Sequence, residues 1–337
     1  MDVVTIDAFL RNTLLRFKEP LQANDWEQLL QAKHICLSRA DERFIEDFLF
    51  ALPDNNVHTV KLNFKRTSLD VLSTLGHKHP HTVSLIGNKI LDYDTLAAFA
   101  GVHTIVLDRC KLLHSVNCLA GVHTISLRYC SNLDTIDQLA TVHTIDLSNC
   151  RKITDNAIMA LNGVSVINLT NCSKITNQGI VHIGPKIREI NLTNLFRVTG
   201  RVCKALYNAE IVYLPGNSNF YNSHLKHLTS IKKIHLRGKH ITADSAKFLP
   251  YATRVSLDRK RSSLIDEMRE AFHSNGADNK FQYGSYLNLE LPTNYNPPEF
   301  VYESGVETYE AQRLEYARYH QNVVAQMRLS TSSQKYL

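Results

Sequence analysis

The sequence predicts an α/β fold, a solenoid of short stacked repeats that share one parallel β-sheet of about eleven strands. Three observations carry this. Leu107, Leu127 and Leu147 stand twenty residues apart, each three residues before a cysteine (Cys110, Cys130, Cys150). The text around them, VHTIVLDRC, VHTISLRYC and VHTIDLSNC, is one frame repeated, and VSVINLTNC and IREINLTNL continue it. Followed in both directions, the frame places a central leucine at Leu37, Leu62, Leu85, Leu107, Leu127, Leu147, Leu169, Leu192, Leu214, Leu236 and Leu257, with steps of 20 to 25 residues. A period in the twenties with apolar-x-x-apolar-x-Leu-x-x-Cys/Asn marks a stacked repeat array. No such repeat buries its apolar side alone, so neighbours must stack.

The chain divides into four parts. Residues 1–31 read as a helical N-terminal cap: FLRNTLLRF has the spacing of one buried helix face, and DWEQLLQA reads as a second short helix beginning at Asp25. Residues 32–261 form the repeat array. After its first strand, ADERFIEDFLFAL is long enough for a true helix, whereas later connections such as KLLHSVNCLAG and SNLDTIDQLAT allow a tight turn and about one helical turn. Residues 262–276, SSLIDEMREAFHSNG, read as a C-terminal cap helix with Gly276 as its stop. Residues 277–337 break the frame as an extended Tyr/Pro-rich arm. Pro297-Pro298 forbids a helix there, and 306–329 regains helical spacing through Val306, Tyr309, Leu314, Ala317, Val324 and Met327. Eight of the fourteen tyrosines lie from residue 283 onward, which implies that the arm packs on its own solenoid or on a partner.

Alternation along a strand sends Ile105, Ile125, Ile145, Ile167, Ile190 and their leucines into the core. Each contributes about 1.5–3 kcal/mol on burial. The opposite, concave face reads as exposed, small and polar: Thr124, Ser126, Thr144, Asp146, Ser148, Asn168, Thr170, Asn191 and Thr193. Cys110, Cys130, Cys150 and Cys172 form a column where the chain leaves the sheet, and packing against backbone amides fits them better than the paired geometry of a zinc site. A second column, His58-Thr59, His81-Thr82, His103-Thr104, His123-Thr124 and His143-Thr144, reads as a structural ladder of neutral rings. A metal ladder or a pH switch is its functional alternative. His77, His79 and His81 make a local cluster with no carboxylate or cysteine partner in the text.

CRKITDNAIMAL and CSKITNQGIVHI, each followed by a V/I-x-x-I-x-L strand, resemble the cysteine-containing leucine-rich repeats of F-box-type substrate receptors. The compact GVHTI-x-L-x-x-C form resembles the short leucine-rich-repeat arrays of large DNA viruses of amoebae and of some protists. The resemblance covers residues 32–261 and implies a leucine-rich-repeat solenoid. F-box membership requires an N-terminal adaptor-binding module opening on Leu-Pro-x-Glu, and residues 1–31 do not carry that opening.

Charge localises the candidate binding surface. The chain carries +6 overall, yet residues 222–261 hold ten Lys or Arg against Asp244 and Asp258. The strand pattern puts Lys233, His235, Arg237, Arg254 and Arg259 on the concave basic end. The arm supplies a complementary ligand in Glu299, Glu303, Glu307, Tyr309, Glu310, Glu315 and Tyr316, whether in its own chain or a neighbour's. Nucleic acid is the alternative partner for this basic end, with Tyr213 and Tyr251 as its stacking candidates.

The sequence has no Gly-rich phosphate loop, H-E-x-x-H, G-x-S-x-G or paired C-x-x-C, and Asp108 and Asp146 stand about two rungs, ~10 Å, apart. The expectation is therefore a protein without enzymatic activity, cofactor or metal: an interaction scaffold whose arm docks into a larger structural assembly, a virion being one such assembly. The alternatives are a substrate receptor for a ubiquitin-ligase-type machine and a phosphate- or nucleic-acid-binding repeat protein. An opening segment without a secretory pattern, the absence of a long apolar run and an odd count of seven cysteines place the expectation in a reducing cytoplasmic compartment, without membrane contact.

Overall fold

The computed structural model describes residues 34–36, 42–52, 58–62, 68–216, 219–250 and 252–257, together with helical positions 267, 270 and 271. Among these residues eleven strands form one parallel sheet in strict chain order. They are β1 (His34–Cys36), β2 (Thr59–Lys61), β3 (Thr82–Ser84), β4 (Thr104–Val106), β5 (Thr124–Ser126), β6 (Thr144–Asp146), β7 (Val166–Asn168), β8 (Glu189–Asn191), β9 (Ile211–Tyr213), β10 (Lys233–Leu236) and β11 (Arg254–Leu257). The register pairs like with like: Ile105 faces Ile125, which faces Ile145, Ile167 and Ile190 in turn. These isoleucines and the leucines from Leu62 to Leu236 lie in one continuous core along the stack. The expected cap over 1–31 and arm over 277–337 lie outside the described residues.

Step length decides what covers the other side of that core. The longest step carries α1 (Glu42–Ala51), which buries Ile45, Phe48 and Leu49. The next carries α2 (Leu69–His77), where only short connections were expected; Ser68 caps it by accepting from the Val71 N–H at 3.3 Å. Gly76 on α2 is a close approach, because a Cβ there would stand 2.7 Å from the Ala98 carbonyl oxygen. Then come α3 (Tyr93–Ala97), α4 (Asp155–Met159) and α5 (Asn177–Ile183). Between β4 and β6 the steps shrink and the described chain has no helix at all. There the buried residues fall every third position, Cys110, Leu113, Val116, Leu119 and Val122, then Cys130, Leu133, Ile136, Leu139 and Val142. Short i→i−3 bonds hold these turns, such as Leu119 N–H to the Val116 carbonyl at 3.0 Å. Twenty residues leave no room for an i→i−4 turn between strands.

Each column of the stack is a ladder with its own chemistry. The cysteine thiols donate to the leucine carbonyl one rung back: Cys110 to Leu85 at 3.3 Å, Cys130 to Leu107 at 3.1 Å, Cys150 to Leu127 and Cys172 to Leu147 at 3.0 Å. Backbone N–H groups of the preceding rung face the same sulfurs, as expected: those of Gly87 and Asn88 at Cys110, Arg109 and Cys110 at Cys130, Cys130 at Cys150 and Cys150 at Cys172. Burial pushes all four thiols up, Cys110 and Cys172 to about 12. One position earlier the backbone turns left-handed, at φ +63° for Arg109, +60° for Tyr129, +64° for Asn149, +61° for Asn171 and +59° for Asn194. Arg109 lies 5.2 Å over the Tyr129 ring. The asparagines hydrogen-bond in series, Asn194 to Asn171 and Asn171 to Asn149, each at 2.9 Å.

The histidine rings of 58, 81, 103, 123 and 143 stack at 4.4–4.9 Å between centroids. Each Nδ1 meets the hydroxyl of the threonine that follows it, at 3.1–3.2 Å. Beyond Ser165 the same column changes chemistry, to Arg188, Glu210 and Lys232. Glu210 accepts from Arg188 and from Lys232, both at 2.7 Å. In this column neutral rings stack like on like, whereas the charged side chains that follow alternate in sign.

Burial, and after it the neighbouring imidazoles, holds His81, His103 and His143 below the ordinary value of 6.5. The neutral form is the one the fold prefers. Its stabilisation is complete above the unfolded value and is lost as pH falls below it. The thermal midpoint should therefore drop between pH 7.5 and 5, and His103→Gln should shrink that drop. A midpoint equally pH-dependent in wild type and variant would contradict the ladder's neutrality.

Candidate functional site

The concave face is not uniformly open. Every residue of β4, β5 and β6 is buried, including Thr104, Thr124, Thr144, Ser126 and Asp146. These threonines and serines were expected to be exposed. Their polar atoms are instead used within the sheet: the threonine hydroxyls meet the histidine rings, and the Ser126 hydroxyl donates to Asp108 at 2.5 Å. On either side of these three strands the first concave position is half-exposed, at Thr82 of β3 and at Val166 and Glu189 of β7 and β8; both concave positions of β9 are half-exposed, and Lys233 of β10 is exposed.

Four of the predicted site residues lie on the last two described strands and the turn after β10. Lys233 and Arg254 are register partners on β10 and β11, so two cations sit side by side. Like charges directly opposite each other are destabilising. His235, half-buried, places Nδ1 at 2.8 Å from the Ser256 hydroxyl oxygen and stacks on Tyr213 at 5.9 Å. Arg237, also half-buried, passes over Gly216, its Nε 3.7 Å from where a Cβ would stand. Burial, and then the Glu189 carboxylate, pushes the Tyr213 hydroxyl up to about 12, against the opposing pull of Arg254. Tyr213 thus remains a neutral phenol within reach of the Glu189 carboxylate and the Arg254 guanidinium. Arg259, Tyr251 and the arm residues Glu303, Glu307, Tyr309, Glu310 and Tyr316 lie outside the described residues.

A second polar group, absent from the sequence reading as a unit, lies further up the concave face. Asp108 and Asp146 are separated by the rung that carries Ser126 and Arg128. The Arg128 N–H donates to Asp108 at 3.1 Å, and its Nε stands 3.9 Å from Asp146. Asn168 and the Ser148 N–H also donate to Asp146, at 3.1 and 2.8 Å. Burial pushes the Asp108 carboxyl above its ordinary range, with Arg128 and Ser126 pulling the other way. These carboxylates are tied into the sheet by partners on neighbouring rungs. The signal for Arg128 was its position one residue after Leu127, which is where Asp108 stands in its own repeat.

No helix among the described residues is long and apolar enough to cross a membrane. Cys110, Cys118, Cys130, Cys150, Cys172 and Cys203 are free thiols.

No protein-family model matches the sequence, and no curated protein matches it. Among solved structures the chain is similar to the internalin InlF of Listeria monocytogenes, with a TM-score of 0.50 and 12% identity over 82% of this chain and 89% of that one. Rad7, in its complex with Elc1 from yeast, gives a TM-score of 0.49 and 14% identity over 79% of each chain. The Drosophila Toll–Spatzle complex gives 0.49 and 12% identity, over 72% of this chain and 38% of that one. At these identities the likeness is one of fold.

Proposed function

We propose that this leucine-rich-repeat solenoid is a non-enzymatic protein-interaction spine that takes an acidic, tyrosine-bearing segment on its basic concave end. The observation that supports this reading is the contrast along the concave face: buried polar ladders at β4–β6, against an exposed Lys233 opposite Arg254 on β10 and β11, with His235 on the same strand face. Two adjacent cations with a neutral tyrosine and a histidine beside them suit a carboxylate-rich peptide with aromatic side chains. Carboxylates relieve the Lys233–Arg254 repulsion and form charge-assisted hydrogen bonds. The arm, with Glu303, Glu307, Tyr309, Glu310 and Tyr316, has that composition. Docked on a neighbouring copy, it would tie the spine into a larger assembly, such as a virion, and the free thiols suit a reducing compartment.

The experiment is charge reversal in the full-length chain. Lys233→Glu with Arg254→Glu should weaken capture of a labelled peptide of residues 295–337 at least tenfold at low salt. Added salt should weaken wild-type capture in the same direction, because exposed charges are screened. Capture unaffected by the double reversal would end this reading.

A further inference from the structure

The outer side of the last repeats carries a feature that the concave reading does not use. Three 3-10 turns stack there on one another: η1 (Gly200–Lys204), η2 (Asn222–His227) and η3 (Ala243–Phe248). Counted from the residue that precedes each turn, Thr199, Tyr221 and Thr242, the fifth position is Lys204, Lys226 and Lys247. All three lysines are exposed, while Val202, Cys203, Leu225 and Ala246 of the same turns are buried. The lysines therefore form an outward column at repeat spacing.

This column differs from the charged column on the lateral face of the same repeats. The lateral Arg188–Glu210–Lys232 column alternates in sign and closes its ion pairs at 2.7 Å. The lysine column repeats one sign, and Asp244 is the single acid among the described residues of the three turns. Arg201 adds a further exposed cation on η1. The side chains are close enough to be felt: after burial, Lys226 and Lys204 are what hold His227 below its ordinary value. An array of uncompensated cations along a repeat axis is the electrostatic complement of a polymer with regularly spaced negative charge.

Exposed aromatic rings stand among these cations. Phe196 is 69% exposed, Tyr207 45% and Tyr221 47%. Within the repeat that starts at β8, the outward residues run Phe196, Arg197, Arg201, Lys204 and Tyr207. Scattered single apolar residues on a surface need no explanation. Aromatic rings interleaved with a basic column are different, because a flat ring offers a stacking platform that an acidic peptide does not need and a nucleobase does.

We propose that this convex surface binds single-stranded nucleic acid, with backbone phosphates along Lys204, Lys226 and Lys247 and bases stacked on Phe196 and Tyr207. The surface lies outside the concave end, and its partner is a different polymer from the acidic arm.

The test is fluorescence anisotropy of a labelled twenty-nucleotide oligothymidylate with the full-length protein over a salt series. Lys204→Glu with Lys226→Glu should weaken binding at least tenfold and flatten the salt dependence, each lost phosphate contact removing about 0.7 from the log–log slope. Phe196→Ala with Tyr207→Ala should weaken binding about tenfold at unchanged salt slope, because stacking is not ionic. The charge-matched control Lys111→Glu with Arg151→Glu should leave affinity within twofold. All of these substitutions sit at surface positions, and circular dichroism confirms folding before binding is read. Absence of wild-type binding, equal loss in the control, or a polyglutamate peptide competing as well as unlabelled oligonucleotide would each overturn the proposal.

Discussion

Leu147→Ala is expected to lower the free energy of unfolding by about 3 kcal/mol, within the range of 2–5 kcal/mol found for such core truncations. Leu147 is fully buried between the leucines of the neighbouring rungs. Its N–H donates to the Asn168 carbonyl at 2.9 Å, and its own carbonyl accepts from the Cys150 N–H and the Cys172 thiol, both at 3.0 Å. Alanine keeps those backbone bonds, so the loss is purely one of packing. A stack in which each repeat touches only its neighbours has no distant element to collapse into the cavity. Leu112→Ala, at a position 58% exposed, should cost less than about 0.5 kcal/mol. Urea unfolding followed by circular dichroism measures both. A Leu147 effect below about 1 kcal/mol would show that the leucine column is not the core.

Asn171→Val should cost about as much by a different route. At φ +61° the backbone is left-handed, and a β-branched residue is strained there by roughly 1–2 kcal/mol. The substitution also removes the two side-chain bonds of the asparagine ladder, to Asn149 and from Asn194. At about 1 kcal/mol each, the total approaches 3–4 kcal/mol. Asn171→Gly separates the two contributions, since glycine takes positive φ freely and loses only the hydrogen bonds. The valine variant should therefore be less stable than the glycine variant by roughly 1–2 kcal/mol. Equal stabilities would remove backbone handedness from the explanation.

The strand columns were legible in the sequence because their spacing is written in the leucines themselves. Once Leu107, Leu127 and Leu147 are aligned, the inward isoleucines, the cysteines and the His-Thr pairs fall into register without further assumption. Burial of the concave threonines was not legible. Alternation says which way Thr124 points, but not that its hydroxyl is spent on His123. The left-handed turn was half visible: asparagine at 149, 171 and 194 is a usual occupant, whereas Arg109 and Tyr129 at the same position give no hint of it. Arg188, Glu210 and Lys232 look unrelated along the chain, since steps of 22 residues hide a ladder until the strands are paired.

The candidate site was legible to the same degree. Lys233, His235, Arg237 and Arg254 were placed on one face by strand phase alone; in the sheet Lys233 is the register partner of Arg254, and His235 that of Ser256 and Tyr213. Tyr213 was noted for stacking on bases, and its setting between Glu189 and Arg254 appears only when β8–β11 are laid side by side. The lysine column on the outer side was partly legible: Lys204 and Lys226 each stand twelve residues after their leucines, Leu192 and Leu214, whereas Lys247 stands eleven after Leu236. That one-residue difference disappears when the count starts from Thr199, Tyr221 and Thr242.

Excision of one whole repeat tests the stack most directly. Removing residues 128–147 joins Leu127 to Ser148 and keeps every column in register, so the shortened chain should fold cooperatively with one strand fewer. Removing residues 128–137 takes out half a period, sets the two halves of the stack out of phase, and should give a chain that fails to form the native sheet. Circular dichroism and hydrogen exchange on both variants read the outcome. If the full-repeat excision unfolds the protein, or if the half-repeat excision is tolerated equally well, the account of a single register-locked stack is contradicted.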